Sequence, residues 1–378
     1  MARGSRVLAL AREEALAIRL WKHHLHDRAP VGRWLQVVSE IGGLQVQSAS
    51  AARLALWTRV ADFSPDLLEE ALNKRRTMLK VYGMRGTVHA LPAKDWPQYF
   101  TALQHARRGD TLDKRGLRAD DVARALHTAT RILSTGPVTL KELAARFPRQ
   151  LRDRLVSSGP YPWIALVKDL LRSVSVCFGP PRGQGVTFVT TERWLGRRPR
   201  GITAATAARG LARRYLRAFG PASAADFAYW SGLPAGDALR AFDQVPGRVE
   251  ANVEGERLWM LPADRDYRKA AATAAPVRLL PDFDTYLLGH HDKSLVLDAR
   301  HHRRVFSGAG RVAATVLQNG RVVATWRSDR GPLGLSVSVI AFQQLPVSVR
   351  RSIDEEVTSL AAFLETPLSK LTISRFVG

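Results

Sequence analysis

Two stretches with one shared pattern, GPVTLKELA at 136–144 and GPASAADFA at 220–228, indicate how this chain folds. Both read Gly-Pro-x-Ser/Thr-x-x-Asp/Glu-apolar-Ala. A hydroxyl followed three residues later by an acidic side chain has the spacing of a capping box, in which two side chains satisfy free backbone N–H groups at the start of a helix. We therefore expect one helix to begin after Thr139 and another after Ser223.

The segments on either side of these stretches are also alike. A long helical segment ends at each Gly-Pro, and a second amphipathic segment follows the capped helix. Next come two short alternating strands around a polar turn, VSVCF and VTFVT in one copy and RVEANV and RLWML in the other. This order is that of a winged helix-turn-helix. The N-terminal third repeats it more loosely and leads to a hairpin of TMLKVYG and GTVHAL.

The C-terminal segment has a different pattern. RVAATVLQNGRVVATWR contains two alternating strands around Asn319 and Gly320, a pair typical of a two-residue hairpin turn. LGLSVSVIAFQ predicts a further strand, and VSVRRSIDEEVTSLAAFLE predicts a closing helix. The predicted fold class is α+β, with three tandem winged helix-turn-helix units around a C-terminal antiparallel β-barrel-like element. The predicted domain boundaries are 1–105, 106–200, 201–275 and 276–378.

Basic residues exceed acidic ones by a wide margin. The chain has 57 Lys and Arg against 34 Asp and Glu, a net charge of +23, and 47 of the basic residues are arginine. A GC-rich genome explains arginine over lysine, but it does not explain the excess of base over acid. Because the guanidinium fork suits phosphate, we expect a nucleic acid partner in preference to a membrane surface or an acidic protein.

Other features of the sequence narrow the class of protein. No run of about 18 apolar residues is present, and the start, MARGSRVLALAREEALAIRL, has the period of an amphipathic helix and not of a secretory signal. Cys177 is the single cysteine and is expected to be a small buried side chain. His24 and His26 are two residues apart, a spacing that does not share one helix face. We expect a cytoplasmic protein with no membrane contact, no metal and no cofactor.

A pair of glutamines in the stretch GGLQVQ, residues 42–47, is the candidate for chemistry. In an extended backbone Gln45 and Gln47 point to one side and Val46 to the other. Each amide both donates and accepts hydrogen bonds, so two of them are able to hold one water. Two alternatives stay open: the glutamines merely cap the next helix, or Glu40 is the reactive group.

Over nearly its whole length the chain resembles the winged-helix DNA glycosylases of the AlkZ/YcaQ type. The matching stretches are GLQVQ…ARLALWTR, MRGTVHAL, LLPDFDTYLLGHHD and GAGRVAATVLQNGRVVATWR, which are specific in combination. The resemblance implies a C-shaped protein whose concave face takes duplex DNA. It also implies hydrolysis of the N-glycosidic bond of alkylated purines, including bulky adducts and interstrand crosslinks made by genotoxic natural products.

The resemblance also suggests which residues act. The family's catalytic motif is Gln-apolar-Gln in one branch and Gln-apolar-Asp in the other, and Gln45-Val46-Gln47 matches the first. The residues expected to bind DNA are Arg53, Arg85, His89, His301, His302, Arg303 and Arg304. For most of them a structural explanation is also open, namely a charge on a wing, a half-buried histidine or a solvated loop. The paired histidines at 290–291 and 301–302 depart from the family's pattern, so the loop that probes the lesion is not assigned.

The function expected from these residues is that of a monofunctional DNA glycosylase acting on N7- or N3-alkylated purines, in DNA repair or in self-resistance to a genotoxin. Such a purine is already cationic and departs without a general acid, so two amides that position a water suffice. No lysine is placed for a Schiff base. The expected partner is double-stranded DNA containing alkylated purines, bound by a monomer. The alternative is a non-catalytic winged-helix transcriptional regulator.

Overall fold

The computed structural model describes residues 7–104, 112–196, 201–272, 275–308 and 310–376. The described chain contains both helices and strands, and most of its strand pairs are antiparallel, so the fold is mixed α+β. The α-helices are α1 Arg12–Lys22, α2 Trp34–Glu40, α3 Ala49–Trp57, α4 Pro65–Asn73, α5 Trp96–Leu103, α6 Ala119–Leu133, α7 Leu140–Ala145, α8 Arg149–Ser157, α9 Pro162–Arg172, α10 Thr191–Leu195, α11 Ala204–Phe219, α12 Ala224–Ser231, α13 Ala235–Asp243, α14 Thr285–Leu288, α15 His302–Val305 and α16 Val347–Phe363. The strands are β1 Leu8–Leu10, β2 Leu44–Gln45, β3 Met78–Tyr82, β4 Val88–Pro92, β5 Val138–Thr139, β6 Val176–Phe178, β7 Thr187–Thr190, β8 Val249–Val253, β9 Glu256–Met260, β10 Arg278–Leu280, β11 Phe306–Ser307, β12 Arg311–Val312, β13 Thr315–Gln318, β14 Arg321–Gly331, β15 Gly334–Ala341 and β16 Leu368–Arg375.

The chain forms two compact units. The first comprises Met1–Ser64, Arg213–Trp230 and Val245–Gly378, and the second comprises Pro65–Ala212 and Ser231–Gln244. The boundaries predicted from the sequence separate copies of a repeated pattern, whereas these two units are defined by compactness. Because the two divisions describe different things, the predicted boundaries stay a prediction.

Both capping boxes are present. In α7 the Thr139 hydroxyl accepts from the backbone N–H of Glu142 at 3.2 Å, and the Glu142 carboxylate accepts from the Thr139 N–H at 2.9 Å. At α12 the Ser223 hydroxyl and the Asp226 carboxylate make the same reciprocal bonds, at 3.1 and 2.9 Å. The shorter side chain of Asp226 thus reaches the backbone N–H of the N-cap residue as well as Glu142 does. Both predicted helix starts are confirmed.

The second unit contains a sheet in which five strands lie in the order β4-β3-β6-β7-β5. The pairs β5–β7 and β6–β7 are antiparallel, with Val138 opposite Phe188 and Val176 opposite Thr190. Between the capped helix α7 and the predicted helix α9 the structure has a further helix, α8, which the sequence prediction lacked. Leu151 on α8 is buried, which explains why this short segment is helical.

The N-terminal segment differs from its prediction. The amphipathic helix expected to run through the first twenty residues begins only at Arg12. Leu8–Leu10 is instead strand β1, which pairs in parallel with β8 between Leu8 and Ala251 and between Leu10 and Val253. A pairing partner far away in sequence overrides the helical period here, as tertiary contacts commonly do for short segments.

The C-terminal strands form an open sheet in the order β10-β13-β14-β15-β16. Asn319 and Gly320 have φ values of 49° and 79°, and the predicted hairpin of β13 and β14 is confirmed. The predicted antiparallel barrel-like element is wrong in two respects: among the described strands no closed barrel forms, and β15 and β16 run parallel. The cause is α16, which crosses over between these two strands and returns the chain to the same end of the sheet.

A buried ion pair connects the residue that follows α3 by two positions, Arg59, with the N-cap residue of α14, Asp284. Arg59 and Asp284 form a bidentate pair, with Nη2 to Oδ1 at 2.6 Å and Nη1 to Oδ2 at 2.8 Å, and both side chains are 0% exposed. Asp284 also caps α14 by accepting from the N–H of Tyr286 at 2.9 Å. One carboxylate thus connects two elements that are far apart in the chain.

Replacing Arg59 with methionine should lower the free energy of unfolding by about 3–5 kcal/mol, because the Asp284 carboxylate is then buried without its cation. Urea denaturation followed by circular dichroism measures the loss. Arg240→Met is the matched control, since its partner Asp237 is solvent-exposed and such a pair contributes roughly 0–1 kcal/mol. An Arg59→Met loss no larger than that of the control would contradict this account.

Candidate active site and nucleic-acid interface

A two-glycine turn leads the chain from α2 to the glutamine pair. Gly42 and Gly43 have φ values of 79° and 100°, which other residues rarely adopt. The N–H of Gly43 donates to the carbonyl of Val38 at 2.9 Å and closes the end of the helix. A side chain at Gly42 would meet the indole of Trp230 at 3.2 Å. The turn therefore needs glycine, and it starts strand β2 at a fixed place.

The two glutamines lie in different surroundings. Gln45, the last residue of β2, is buried and 7% exposed, as is Val46 at 6%, whereas Gln47 is exposed. The alternation expected for an extended backbone is absent because β2 ends at Gln45 and the chain turns into α3. Ser48 caps that helix by accepting from the N–H of Ala51 at 3.1 Å. A serine and not a glutamine fills the N-cap, so capping does not explain the pair.

The basic run 301–304 is packed against aromatic rings, on another part of the same unit. Three of its four side chains lie over a ring. The pairs are His301 on Phe342, His302 on Phe306 and Arg304 on Phe376. Burial and the neighbouring charges of Arg300 and Arg304 lower the pKa of His301, so that its ring is neutral at neutral pH. His302 and Arg303 are exposed and remain the side chains of this run with most access to a ligand.

The other three residues expected at the DNA interface have different environments. Arg53 lies half-buried on α3. In the second unit, Arg85 is half-buried with a φ of 55° in the turn between β3 and β4. His89 on β4 is 3% exposed, and its Nδ1–H donates to the carbonyl of Thr87 at 2.9 Å. His89 therefore supports the hairpin from inside, and a DNA contact of Arg53, Arg85 or His89 stays a prediction.

Glu40, the alternative candidate, is engaged on both carboxylate oxygens. One oxygen accepts from Gln36 at 2.7 Å and from Arg33 at 3.2 Å, and the other pairs with Nε2 of His24 at 2.7 Å. Burial raises the pKa of Glu40, but these hydrogen bonds and the nearby positive charges outweigh burial and hold the pKa below its usual value. Such a carboxylate anchors the end of α2 and has little capacity left to act as a base.

A cleft of about 710 Å³ opens beside Glu40 in the first unit. Its lining residues are Trp21, Lys22, His24, Asp27, Arg28, Ala29, Pro30, Arg33, Glu40, Arg213, Arg217, Leu261, Pro262, Ala263, Asp264 and Tyr267. The ring of Trp21 is stacked between His26 at 4.4 Å and Tyr267 at 6.2 Å. No pattern in the sequence predicted this cleft, because its walls come from segments far apart in a chain rich in arginine throughout.

Three further observations concern possible cofactors and reactive groups. Cys177 is buried on β6 as predicted, and burial raises its thiol pKa. Within the described ranges, no cluster of three or more His, Cys, Asp or Glu residues is arranged to bind a metal ion. In the same part of the chain, no helix combines the length and the apolar composition needed to cross a membrane.

Comparison with known proteins identifies the family. The model of the DNA glycosylase AlkZ-like family matches residues 38–363. The interstrand DNA cross-link repair glycosylase of Streptomyces sahachiroi is 30% identical over 311 residues, which cover 77% of this chain and 81% of that protein. The solved structure of Streptomyces sahachiroi DNA glycosylase AlkZ is similar in fold, with a TM-score of 0.83 at 24% identity, over 98% of this chain and 100% of that chain. The resemblance found in the sequence motifs is confirmed, and the chain belongs to the AlkZ-like family of DNA glycosylases.

Proposed function

We propose that this glycosylase hydrolyses the N-glycosidic bond of cationic N7- or N3-alkylated purines in duplex DNA, interstrand crosslinks included. Crosslinks enter the proposal because the Streptomyces sahachiroi relative is named for their repair. The observation that carries it is the Gln45-Val46-Gln47 segment, which matches the family's catalytic motif, while the N-cap of α3 is Ser48. DNA repair and resistance to a genotoxin produced by the same cell are the two biological roles that fit this substrate class.

The chemistry needs little from the protein beyond position. An alkylated purine already carries positive charge, so it leaves as a neutral base without a proton donor. The amide oxygens of Gln45 and Gln47 accept hydrogen bonds from a water held against C1′ of the damaged nucleotide, and the proton that this water loses on attack passes to solvent. Holding the nucleophile in place contributes several kcal/mol, up to about 7–11 in ideal cases. The buried amide of Gln45 and the exposed amide of Gln47 suit this task. Burial holds Gln45 in place, and Gln47 is accessible to a water that enters from solvent.

For DNA binding we propose tandem winged helices whose basic faces contact the phosphates of one duplex. In the second unit the support is the element order α6, β5, α7, α8, α9, β6, β7, with β5 and β6 on either side of β7. In the other copy it is the hairpin of β8 and β9, with a bridge from Ala222 to Trp259. Several such units in one chain allow a monomer to contact one duplex at more than one place.

Substitution of either glutamine by alanine should lower the single-turnover rate by about 10²-fold, because the water is no longer held in line with the bond. The assay incubates the protein with a duplex containing one 7-methylguanine and counts abasic sites. Glu40→Gln is the matched comparison and should retain nearly full rate. Loss of activity in Glu40→Gln, with both alanine variants at full rate, would transfer the catalytic role to Glu40. Binding without any base release by the wild type would favour the regulator.

The rate on 7-methylguanine should be nearly independent of pH between about 6 and 8, because no general acid takes part and the leaving base is already cationic. Undamaged guanine in the same duplex should stay in place. Borohydride should trap no protein–DNA adduct, because hydrolysis by water forms no Schiff base. A rate that falls steeply as pH rises, together with release of normal guanine, would require an acid that this proposal lacks.

A further inference from the structure

Two arginines on one face of α11 reach the cleft beside Glu40. Arg213 and Arg217 are one helical turn apart, a spacing at which side chains lie next to each other, with roughly 5–6 Å between their Cβ atoms. Both are exposed and both line the cleft. Arg213 donates one bond to the carbonyl of Pro246 at 3.3 Å. Among the described residues, no carboxylate lies within ion-pair distance of either guanidinium.

The other cations of the cleft already have partners. Lys22 uses all three of its protons, on the carbonyls of Leu216 and Gly220 at 2.8 and 2.9 Å and on Asp264 at 2.6 Å. Arg28 binds Glu356 at 3.0 and 3.1 Å. The exposed carboxylate of Asp27 lies 3.3 Å from the ring of His26 and keeps its negative charge. Against this single negative charge stand the two positive charges of Arg213 and Arg217, so the balance in the cleft is positive.

Tyr267 adds an uncharged donor to the wall of the cleft. Burial and the charges of Asp264 and Glu40 raise the pKa of Tyr267, so its phenol stays protonated. A cleft that offers guanidinium and phenol donors is suited to an anion with several acceptor oxygens. Phosphate has this chemistry, and guanidinium binds it with paired hydrogen bonds.

We propose that this cleft binds backbone phosphates of the DNA strand, with Arg213 and Arg217 contacting adjacent phosphates. The inference rests on the proposed function, because it assumes a DNA substrate. Glu40 lines the cleft and lies just before the Gly42–Gly43 turn that fixes Gln45. A phosphate held here sets the register of the strand relative to the glutamine pair, since phosphate contacts position a protein on DNA without reading its sequence. Arg213 and Arg217 are thus positioning residues.

The test is the salt dependence of DNA binding by Arg213→Gln/Arg217→Gln. Binding of a fluorescent duplex is measured by anisotropy at several salt concentrations. Loss of two phosphate contacts should make the slope of log K against log salt shallower by about 1.8, and binding should weaken roughly 10- to 100-fold. The single-turnover rate at saturating DNA should also fall, by less than the loss expected of the glutamine variants, because these contacts set the register of the strand. If the double variant fails to fold, each single variant should change the slope by about 0.9.

Arg350→Gln/Arg351→Gln is the matched control, since it removes the same charge from exposed positions on α16, outside the cleft. It should change the slope much less. Equal slopes for the cleft variant and the wild type, or an equal change in the control, would overturn the proposal. Inorganic phosphate and dAMP are titrated by calorimetry as a second arm. Tight binding of either ligand that the cleft substitutions abolish, with DNA binding unchanged, would make the cleft a small-ligand site and also overturn the proposal.

Failure of the catalytic proposal is distinguishable from failure of this one. Gln45→Ala and Gln47→Ala should lower the rate and leave the salt slope unchanged, whereas the cleft variant makes the salt slope shallower. If the glutamine variants keep full rate while the cleft variant shows the shallower slope, the catalytic assignment is wrong and the phosphate site stands. If the glutamine variants lose rate while the cleft variant keeps the wild-type slope, the phosphate site is wrong and the catalytic assignment stands.

Discussion

The Arg59–Asp284 ion pair is the contact on which the arrangement of the glutamine segment depends. Taking two charges out of water is favourable only when each finds the other in good geometry, so a fully buried pair specifies which two segments meet. Here it holds the end of α3, the helix that follows Gln47. The glycine turn fixes the other side, where a side chain at Gly42 would collide with Trp230. The glutamine segment is therefore constrained at both ends, which is the condition for holding a water in one place.

Local signals in the sequence predicted the parts of the fold that depend on local physics. The capping boxes at Thr139 and Ser223 involve residues three apart, and the Asn319-Gly320 turn depends on two adjacent backbones with positive φ. What the sequence did not predict depends on distant partners. β1 is a strand because β8 lies beside it, and β16 is parallel to β15 because α16 crosses over between them. β1 has only three residues, too few for a periodic pattern, and the direction in which β16 pairs is not encoded locally.

The candidate site divides in the same way. Motif resemblance pointed to Gln45 and Gln47, whereas spacing alone left open a capping role that Ser48 fills. The sequence did not identify Arg213 and Arg217 as binding residues, because the chain has 47 arginines. Only the fold shows which of them have no carboxylate within ion-pair distance among the described residues. Several expected DNA contacts are also used inside the fold, as His89 is in its hairpin. Excess positive charge predicts the class of partner, and it does not identify the residues that make the contacts.

The open C-terminal sheet has a consequence for solubility. Its edge strand, β16, presents a row of N–H and C=O groups on the side away from β15. A strand of another molecule is able to pair with such an exposed edge. Along β16 the exposed positions include Lys370, Thr372, Ser374 and Arg375. The positive charges of Lys370 and Arg375 repel a second copy of this strand that would pair with the edge. The hydroxyl side chains of Thr372 and Ser374 offer that copy little apolar surface to bury. The same basic composition that attracts DNA thus also discourages self-association into fibres.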